Sequence, residues 1–364
     1  MAKGPMVISS RCGQMTACFA FAVGVVLGLA GVAKQATAQS SGGGVAFLLP
    51  STNAYRWENQ DHPDFVAAMK KYAPDVPVQV ANALEDAAKQ QAQAEAAITN
   101  GAKVLVLSPV DAKAAAKIVT NARNQGLTVI GYTRPLPNAP INYYVGGNVV
   151  ALGETLADYW KQHVKPGDNL VIIKGDTGDD NVPLYYQGIM NVLKPMVDAG
   201  KIHIVGDVFT PHWDAAAAER EMDQILSRTN NNVQGVISLN DGMAVGVLAA
   251  LRQQGLEGKV PVSGGDASIP ALQEILKGNM VMSVFFSISE MADHAARLAA
   301  YVAKGEKPPA NFFNSTFNNG LVTVPFYYVR NEDITIDNID DVIKDGAATK
   351  AQVCAGIPHG KGPC

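Results

Sequence analysis

Apolar residues along the chain form two kinds of segment. Some are short continuous runs, and others are longer stretches in which apolar positions recur every three or four residues. The continuous runs predict strands that are buried on both faces of a sheet. The predicted strands lie at 45–50, 76–81, 104–109, 128–132, 170–174, 202–208, 233–240, 261–264 and 282–286.

The stretches between these runs predict amphipathic helices. The clearest apolar stripe, at i, i+4, i+7 and i+11, consists of Met291, Ala295, Leu298 and Val302. Asp214 stands before an alanine-rich stretch, where an N-cap is expected. Glycines stand between a predicted helix and the next strand, where C′ glycines occur, at Gly101, Gly126 and Gly255. These stripes and caps indicate packing rather than a binding site.

Repeated alternation of strand and helix predicts an α/β fold in which parallel sheets carry helices on both faces. One sheet of nine or more strands is an alternative, but two smaller sheets suit a chain of 364 residues better. Open parallel sheets bind ligands beyond the carboxyl ends of their strands. Candidate functional residues are therefore those that directly follow a predicted strand.

The N-terminus has the pattern of a secretion signal. Lys3 and Arg11 form a basic region, the segment 18–33 is apolar, and small residues precede a cleavage position after Ala38. Cys18 begins the apolar segment, whereas a lipoprotein cysteine would end it. We predict that residues 1–38 are a cleaved signal peptide and that the product is a soluble periplasmic protein. An uncleaved anchor is the alternative.

Composition and motifs exclude several functions. The formal net charge is -4 without a long run of either sign, so nucleic acid is not an expected partner. The six histidines lack metal-ligand spacing, and the chain has neither a nucleophile elbow nor a phosphate-binding loop. No enzyme, catalytic residue, metal or cofactor is predicted. A pair of glycosidase carboxylates stays open, because the distance between them is spatial.

Two cysteines, Cys354 and Cys364, remain after removal of the signal peptide. An oxidising compartment favours a disulfide between them, and glycines in the intervening segment make ring closure easy. The alternative is two free thiols on a loose tail.

The residues after the predicted strands combine planar polar groups with tryptophan. Asn, Asp and Arg side chains can bond sugar hydroxyls in pairs, and indole rings pack on the apolar faces of a sugar. The candidates are Arg56, Trp57, Thr133, Arg134, Asp180, Asn181, Trp213, Asn240 and Asp266. The alternative is that these polar residues only cap helices and solvate loops.

Several of these stretches resemble a known family. Asn240-Asp241, Gly264-Gly265-Asp266-Ala267 and Asn318-Asn319-Gly320-Leu321 are similar to the periplasmic sugar-binding proteins of ABC transporters, of the ribose/galactose-binding type. Within that family the branch that binds D-xylose is the closest match. The similarity is collinear from about residue 45 to about residue 346.

The resemblance implies a type I periplasmic binding protein fold, in which two Rossmann-like lobes are joined by three crossovers and enclose a sugar. The crossovers are expected near 144–148, 283–287 and 318–322. The expected lobes are 44–146 plus 286–320 and 147–285 plus 321–346, followed by a tail at 347–364.

The implied ligand is a monosaccharide, D-xylose or a similar pentose. The implied partner is an ABC permease, and the family default is a monomer. A different aldose or polyol, or a receptor that docks on a membrane sensor, is the alternative.

The resemblance also implies roles for individual residues. Sugar contacts are expected from Arg56, Trp57, Arg134, Asn181, Trp213, Asn240 and Asp266, with Asp180 as a looser candidate. Among these, Arg134 and Asp266 carry opposite charges that can bond neighbouring hydroxyls.

Two positions depart from the xylose-binding pattern. Thr133 stands where that pattern has Asp, and Phe286 stands where it has Lys. The two changes together leave the formal charge of the pocket unchanged, which suggests a coordinated change of specificity. The alternative is that Phe286 packs in the hinge and that xylose still binds.

Overall fold

The computed structural model describes residues 44–364, and the predicted signal peptide lies outside the described residues. The strands are β1 (Gly44–Leu49), β2 (Val78–Asn82), β3 (Ala102–Leu107), β4 (Thr128–Tyr132), β5 (Tyr143–Gly147), β6 (Asp168–Lys174), β7 (Ile202–Phe209), β8 (Gly235–Ser238), β9 (Val262–Gly265), β10 (Met282–Phe286), β11 (Ser315–Asn318), β12 (Thr323–Val329) and β13 (Asn331–Ile334). The helices are α1 (His62–Tyr72), α2 (Ala87–Thr99), α3 (Ala112–Asn124), α4 (Val149–His163), α5 (Asn181–Asp198), α6 (Ala215–Arg228), α7 (Asp241–Gln253), α8 (Ile269–Lys277), α9 (Ile288–Ala303), α10 (Ile339–Asp345) and α11 (Lys350–Val353). Between 44 and 364, no helix is both long and apolar enough to cross a membrane.

The strands form two sheets. The first has the order β11-β12-β5-β4-β3-β1-β2, and the second has the order β13-β10-β9-β8-β6-β7. Neighbouring strands are parallel except at one edge of each sheet, where β11 pairs with β12 and β13 pairs with β10 in antiparallel fashion. The predicted α/β class with two mostly parallel sheets is confirmed. We refer to each sheet with its helices as the first lobe and the second lobe.

The local signals read from the sequence also hold. The Asp214 side chain accepts a hydrogen bond of 2.8 Å from the backbone N–H of Ala217, as an N-cap does. Gly101, Gly126 and Gly255 have φ values of 83°, 82° and 66° after their helices, a conformation that favours glycine. Each predicted strand corresponds to an observed one. The sequence did not predict β5, β11, β12 and β13.

The chain passes between the sheets at three places. After β5 it enters α4, which packs against β10 and β13 of the second sheet. After β10 it returns through α9, which packs against β3, β4 and β5. The third passage lies between β12 and β13, at Arg330.

The prediction of a third crossover near 318–322 is wrong. That segment is a hairpin turn, closed by a hydrogen bond of 3.1 Å from the Asn319 N–H to the Val322 carbonyl, with Gly320 at φ 94°. The following strand β12 pairs with β5, so residues 323–329 lie in the first sheet and not in the second lobe. We propose lobes of 44–147 plus 288–329 and 149–286 plus 331–364.

Two helices of the second lobe approach each other closely. A Cβ added at Gly188 of α5 would lie 2.1 Å from the backbone oxygen of Val150, and one added at Gly153 of α4 would lie 2.1 Å from the backbone oxygen of Tyr185. Only glycine permits this approach. The contact fixes α5, and α5 carries Tyr185 toward the space between the lobes.

The C-terminal segment 347–364 packs on the second lobe. Cys354 and Cys364 form the predicted disulfide. The short helix α11 lies against α8, and the Gln273 side-chain amide donates a hydrogen bond of 3.0 Å to the backbone oxygen of Gln352. Val353 is fully buried. The tail therefore extends the second lobe and leaves the space between the lobes uncovered.

Replacing both cysteines, Cys354→Ser with Cys364→Ser, is expected to lower the free energy of unfolding by about 3 kcal/mol or less, because the bond closes a ring of about eleven residues. Urea denaturation of the two proteins measures this loss. Sugar affinity should stay unchanged, because no residue of 347–364 lines the cavity described below. A large change in affinity would contradict the placement of the tail.

Candidate functional site

A cavity lies between the two lobes at the carboxyl ends of the parallel strands. It offers about 80 Å³ to the centres of water molecules, and one buried water needs about 10–15 Å³ on that measure. The space therefore suits a small molecule with several polar groups. Of the predicted site residues, the structure brings together Arg56, Trp57, Thr133, Arg134, Asn181, Trp213, Asn240, Asp266 and Phe286.

Arg56 is held in place by groups of its own lobe and by Phe286 of the second lobe. Its guanidinium donates two hydrogen bonds of 2.8 Å to the carboxylate of Asp61, which also accepts one of 2.6 Å from the Tyr132 hydroxyl. The guanidinium carbon lies 4.7 Å from the ring centre of Trp57 and 5.2 Å from that of Phe286. Such cation–π contacts and a bidentate ion pair fix the orientation of the group. Its Nη1 remains 3.9 Å from Asp266 of the second lobe.

Arg134 forms a buried ion pair across the cavity. Its Nε lies 2.8 Å from the carboxylate of Asp179, and its Nη1 donates a hydrogen bond of 3.0 Å to the backbone oxygen of Pro109. Burial raises the pKa of Asp179, and the Arg134 charge opposes that rise. Because Asp179 belongs to the second lobe, this pair joins the two lobes in the closed arrangement.

The carboxylate at this place in the cavity is Asp179 and not the predicted Asp180. The backbone N–H of Asn181 donates a hydrogen bond of 2.9 Å to the Asp179 side chain, a local turn that fixes this carboxylate. Asp180 is half-buried at the start of α5 and does not line the cavity.

Three polar atoms at the cavity are buried and have no hydrogen-bond partner within residues 44–364. They are the Asn181 Oδ1, the Tyr185 hydroxyl and the Trp213 indole nitrogen. The indole N–H lies close enough to Asp179 to favour its charged form, but not in hydrogen-bonding geometry. Unpaired buried polar groups are costly and rare in native proteins. A ligand that carries hydroxyl groups would supply the missing partners.

Two further side chains have a fixed role and a free polar group. The Asn240 Oδ1 caps α7 by accepting a hydrogen bond of 2.9 Å from the Met243 N–H, which leaves its amide nitrogen as a donor. The Asn181 side-chain amide donates a hydrogen bond of 3.2 Å to the backbone oxygen of Thr133 in the other lobe. The Asn240 amide is therefore held within its own lobe before a ligand enters, whereas the Asn181 bond to Thr133 forms only when the lobes are closed.

Backbone strain is concentrated at this site. Thr133, Trp213 and Asp266 have φ values of 55°, 54° and 96°, a region that residues other than glycine seldom adopt. Each such residue costs on the order of 1–3 kcal/mol and persists where the surrounding structure enforces it. Gly175 makes room for the Trp213 ring, since a Cβ there would lie 2.2 Å from the indole. Strain of this kind is typical of functional sites.

Two carboxyl groups of the second lobe have raised pKa values, Asp266 in the cavity lining and Asp241 behind it. Burial raises the pKa of Asp266 to about 6, and the Arg56 charge opposes the rise. Burial and the neighbouring Asp266 charge raise the pKa of Asp241 to about 8, although Asp241 accepts hydrogen bonds of 2.7 Å from the Ser283 hydroxyl and the Ser268 N–H. At neutral pH Asp266 is mostly charged, whereas Asp241 mostly keeps its proton.

The replacement Asp241→Asn is expected to raise the melting temperature above that of the wild type, by a difference that grows as the pH rises. The unfolded chain loses the Asp241 proton near pH 4, but the folded chain holds it to about pH 8. Across that range the folded state binds more protons, so wild-type stability falls as pH rises. Asn mimics the protonated side chain and removes this fall. Melting temperatures at pH 5, 6.5 and 8 test this, and a difference that does not grow with pH would contradict it.

Sequence reasoning did not predict Asp61, Asp179, Tyr185 or Asp241 as site residues. Asp61 is the last residue of a π-helical turn at Trp57–Asp61 and does not directly follow a predicted strand, so it was not among the candidates. Tyr185 belongs to the apolar face of α5 and has the pattern of a core residue. Asp241 follows a predicted strand and belongs to the matched Asn240-Asp241 stretch, but of the two only Asn240 was chosen as a sugar contact.

The chain is similar to known proteins over most of its length. A family model described as "Periplasmic binding protein domain" matches residues 45–307. The D-xylose-binding periplasmic protein of Haemophilus influenzae is 36% identical over 301 residues, which are 82% of this chain and 88% of that protein. The D-xylose-binding periplasmic protein of Escherichia coli K12 is 36% identical over 292 residues, 80% of this chain and 86% of that protein.

A solved structure has the same architecture. It is an ABC transporter solute-binding protein from Clostridium phytofermentans with bound β-D-glucose, and it is 27% identical with a TM-score of 0.76. The match covers 85% of this chain and 99% of that one.

Proposed function

The chain belongs to the periplasmic binding protein family, and from this premise we propose that it captures a monosaccharide between its lobes and delivers it to an ABC import permease. The family consists of non-enzymatic solute-binding proteins, and its place of action is the periplasm. D-xylose or a similar pentose is the proposed ligand, because relatives at 36% identity bind D-xylose. Cleavage after Ala38 and a monomeric state complete the proposal.

The observation that carries this proposal is the set of unpaired polar atoms beside two tryptophans in the cavity between the lobes. Asn181, Tyr185 and Trp213 present groups that have no hydrogen-bond partner within the described part of the chain, and Asp266 and Arg134 supply charges of opposite sign. Charged and planar groups form the strongest hydrogen bonds to hydroxyls. Trp57 and Trp213 add aromatic surface for the apolar side of a sugar ring.

Capture would proceed by closure of the lobes. Besides the Arg134–Asp179 pair, the Asn53 amide donates a hydrogen bond of 2.9 Å to the His212 carbonyl, and the Ala112 N–H donates one of 3.1 Å to the Gly178 carbonyl. All these contacts run between the lobes and are lost when the cleft opens. A ligand that contacts both lobes shifts the population toward the closed form.

The departures at Thr133 and Phe286 bear on which sugar binds. Phe286 packs against Arg56 beside the second crossover, which favours a packing role, yet both residues line the cavity. Altered specificity therefore stays a hypothesis alongside xylose binding. Binding of D-xylose with micromolar or tighter affinity would count against it.

A thermal-shift screen of residues 39–364 against pentoses, hexoses and polyols tests the proposal. A ligand at 100 times its dissociation constant adds about 2.7 kcal/mol of stability and raises the melting temperature clearly. The variant Asp266→Asn should lose most of this shift, whereas Asp180→Asn, which lies outside the cavity, should keep it. If no sugar or polyol raises the melting temperature, the proposed function is wrong.

A further inference from the structure

Tyr185 carries a buried hydroxyl that differs from those of the other buried tyrosines. Its side chain is 6% exposed and lines the cavity, and the hydroxyl has no hydrogen-bond partner within the described part of the chain. The buried Tyr132 hydroxyl, in contrast, donates a hydrogen bond of 2.6 Å to the Asp61 carboxylate. The buried Tyr144 hydroxyl donates one of 2.9 Å to the Thr133 carbonyl. Because buried tyrosine hydroxyls usually have such a partner, we expect the partner of Tyr185 to be a ligand in the cavity.

The position of this hydroxyl is set by close packing rather than by a hydrogen bond. A Cβ added at Gly153 of α4 would lie 2.1 Å from the Tyr185 backbone oxygen, so α5 touches α4 at this residue. At the other end of the side chain, a Cβ added at Gly265 would lie 3.1 Å from the Tyr185 hydroxyl. It would also lie 2.9 Å from the Leu239 backbone oxygen, so glycine at this position leaves room for the phenol. The hydroxyl is therefore held against the end of β9, next to Asp266.

Asp266 presents the complementary group. Its carboxylate accepts no hydrogen bond from residues 44–364, and the Arg56 Nη1 with which it pairs is 3.9 Å away. Burial raises the pKa of Tyr185, and the nearby Asp266 and Asp241 carboxyl groups raise it further, so the phenol keeps its proton. A protonated phenol can donate a hydrogen bond, whereas a carboxylate can only accept one. The cavity therefore holds an unused donor and an unused acceptor close to each other.

We infer that one hydroxyl of the sugar is bound by both groups: it accepts a hydrogen bond from the Tyr185 hydroxyl and donates one to the Asp266 carboxylate. This inference rests on the proposed function and makes Tyr185 a residue that determines specificity. A hydroxyl is both donor and acceptor, so it satisfies both side chains at once. A sugar with hydrogen at that carbon leaves both side chains unpaired. A site built to bond a hydroxyl rejects a ligand without it far more strongly than an apolar pocket rejects an added one.

Tyr185→Phe tests the hydroxyl alone, because phenylalanine keeps the ring and its packing. In calorimetric titration the mature variant should bind the sugar about threefold to tenfold more weakly than the wild type, the range for loss of one neutral hydrogen bond. Its melting temperature without sugar should equal or exceed that of the wild type, since the folded chain loses no hydrogen bond. Tyr186→Phe is the matched control, because the Tyr186 hydroxyl bonds Asp207 and does not line the cavity. The control should keep the wild-type affinity.

Deoxy sugars test whether Tyr185 and Asp266 bind the same hydroxyl. The titrations use the monosaccharide that binds best and analogues that each lack one of its hydroxyls. For D-xylose these are 2-deoxy-, 3-deoxy- and 4-deoxy-D-xylose and 1,5-anhydroxylitol. One analogue should bind Tyr185→Phe within about twofold of the wild type, because the bond that the replacement removes is already absent. The same analogue should be the one for which Asp266→Asn costs least affinity, at least threefold less than for the parent sugar.

Several results would overturn the inference and leave the proposed function intact. The first is an unchanged affinity of Tyr185→Phe for the parent sugar. The second is a loss that is equal for every analogue, and the third is a different analogue for Tyr185 than for Asp266. A melting temperature of Tyr185→Phe well below that of the wild type would reveal a partner within the chain and would also contradict it. Absence of binding by every monosaccharide overturns both the inference and the proposed function.

Discussion

Arg134→Ala is expected to weaken sugar binding by about a hundredfold or more. The replacement removes one partner of a buried ion pair and leaves the Asp179 carboxylate charged and unpaired between the lobes. Removal of one member of a buried, hydrogen-bonded charge pair at an interface costs about 2–5 kcal/mol. Closure of the cleft brings this cost, so it appears in the affinity for the ligand. Calorimetric titration measures the loss.

A second replacement separates the ion pair from direct contact with the sugar. Adding Asp179→Asn to Arg134→Ala removes the unpaired charge and should restore part of the lost affinity. Arg123→Ala serves as the control, because the Arg123 side chain bonds the Leu127 carbonyl in the first lobe and does not line the cavity. Binding by Arg134→Ala within threefold of the wild type would contradict a role for the pair in closure.

Gly188→Ala is expected to destabilise the second lobe by about 3 kcal/mol or more, at or above the upper end of ordinary overpacking costs. The new Cβ would lie 2.1 Å from the Val150 backbone oxygen, and neither atom belongs to a flexible side chain that could move away. The helices α4 and α5 must separate to accept it. Urea denaturation of the purified variant measures the change in the free energy of unfolding.

The matched control is Gly242→Ala in the first turn of α7. There the nearest atoms to an added Cβ lie 3.7 Å away, which is ordinary contact. Alanine also has the higher helix propensity, so this variant should be neutral or slightly stabilised. Similar losses in both variants would show that the close approach of α4 and α5 does not limit stability.

The strands that the sequence predicts correctly share one property. Those such as β4, with the sequence Thr-Val-Ile-Gly-Tyr, lie inside a parallel sheet, and burial on both faces requires a continuous apolar run. The strands β11 and β13 lie at sheet edges and have mostly exposed or half-buried residues, so their sequences Ser-Thr-Phe-Asn and Asn-Glu-Asp-Ile carry no such run. The error at the third crossover follows directly, because β12 was not recognised as a strand.

Most of the cavity was predictable because one rule of topology places it. The carboxyl ends of parallel strands meet at one edge, so residues as distant in sequence as Arg56 and Asp266 are brought together. Whether Asp179 or Asp180 lines the cavity depends on a hydrogen bond within a single turn. Strand and helix patterns predict where the turn lies, but not which of its side chains enters the cavity. Tyr185 lines the cavity because α5 packs closely on α4 at two glycines, a contact that has no signature in the sequence of either helix alone.

The most direct test of the central claim is a calorimetric titration of the mature wild-type chain with D-xylose and the other common pentoses. The cavity between the lobes predicts one sugar per chain, with micromolar or tighter affinity for at least one pentose. Saturable binding at that stoichiometry, lost in Arg134→Ala, would support capture between the lobes. Absence of binding for every pentose, or binding that Arg134→Ala leaves unchanged, would contradict it.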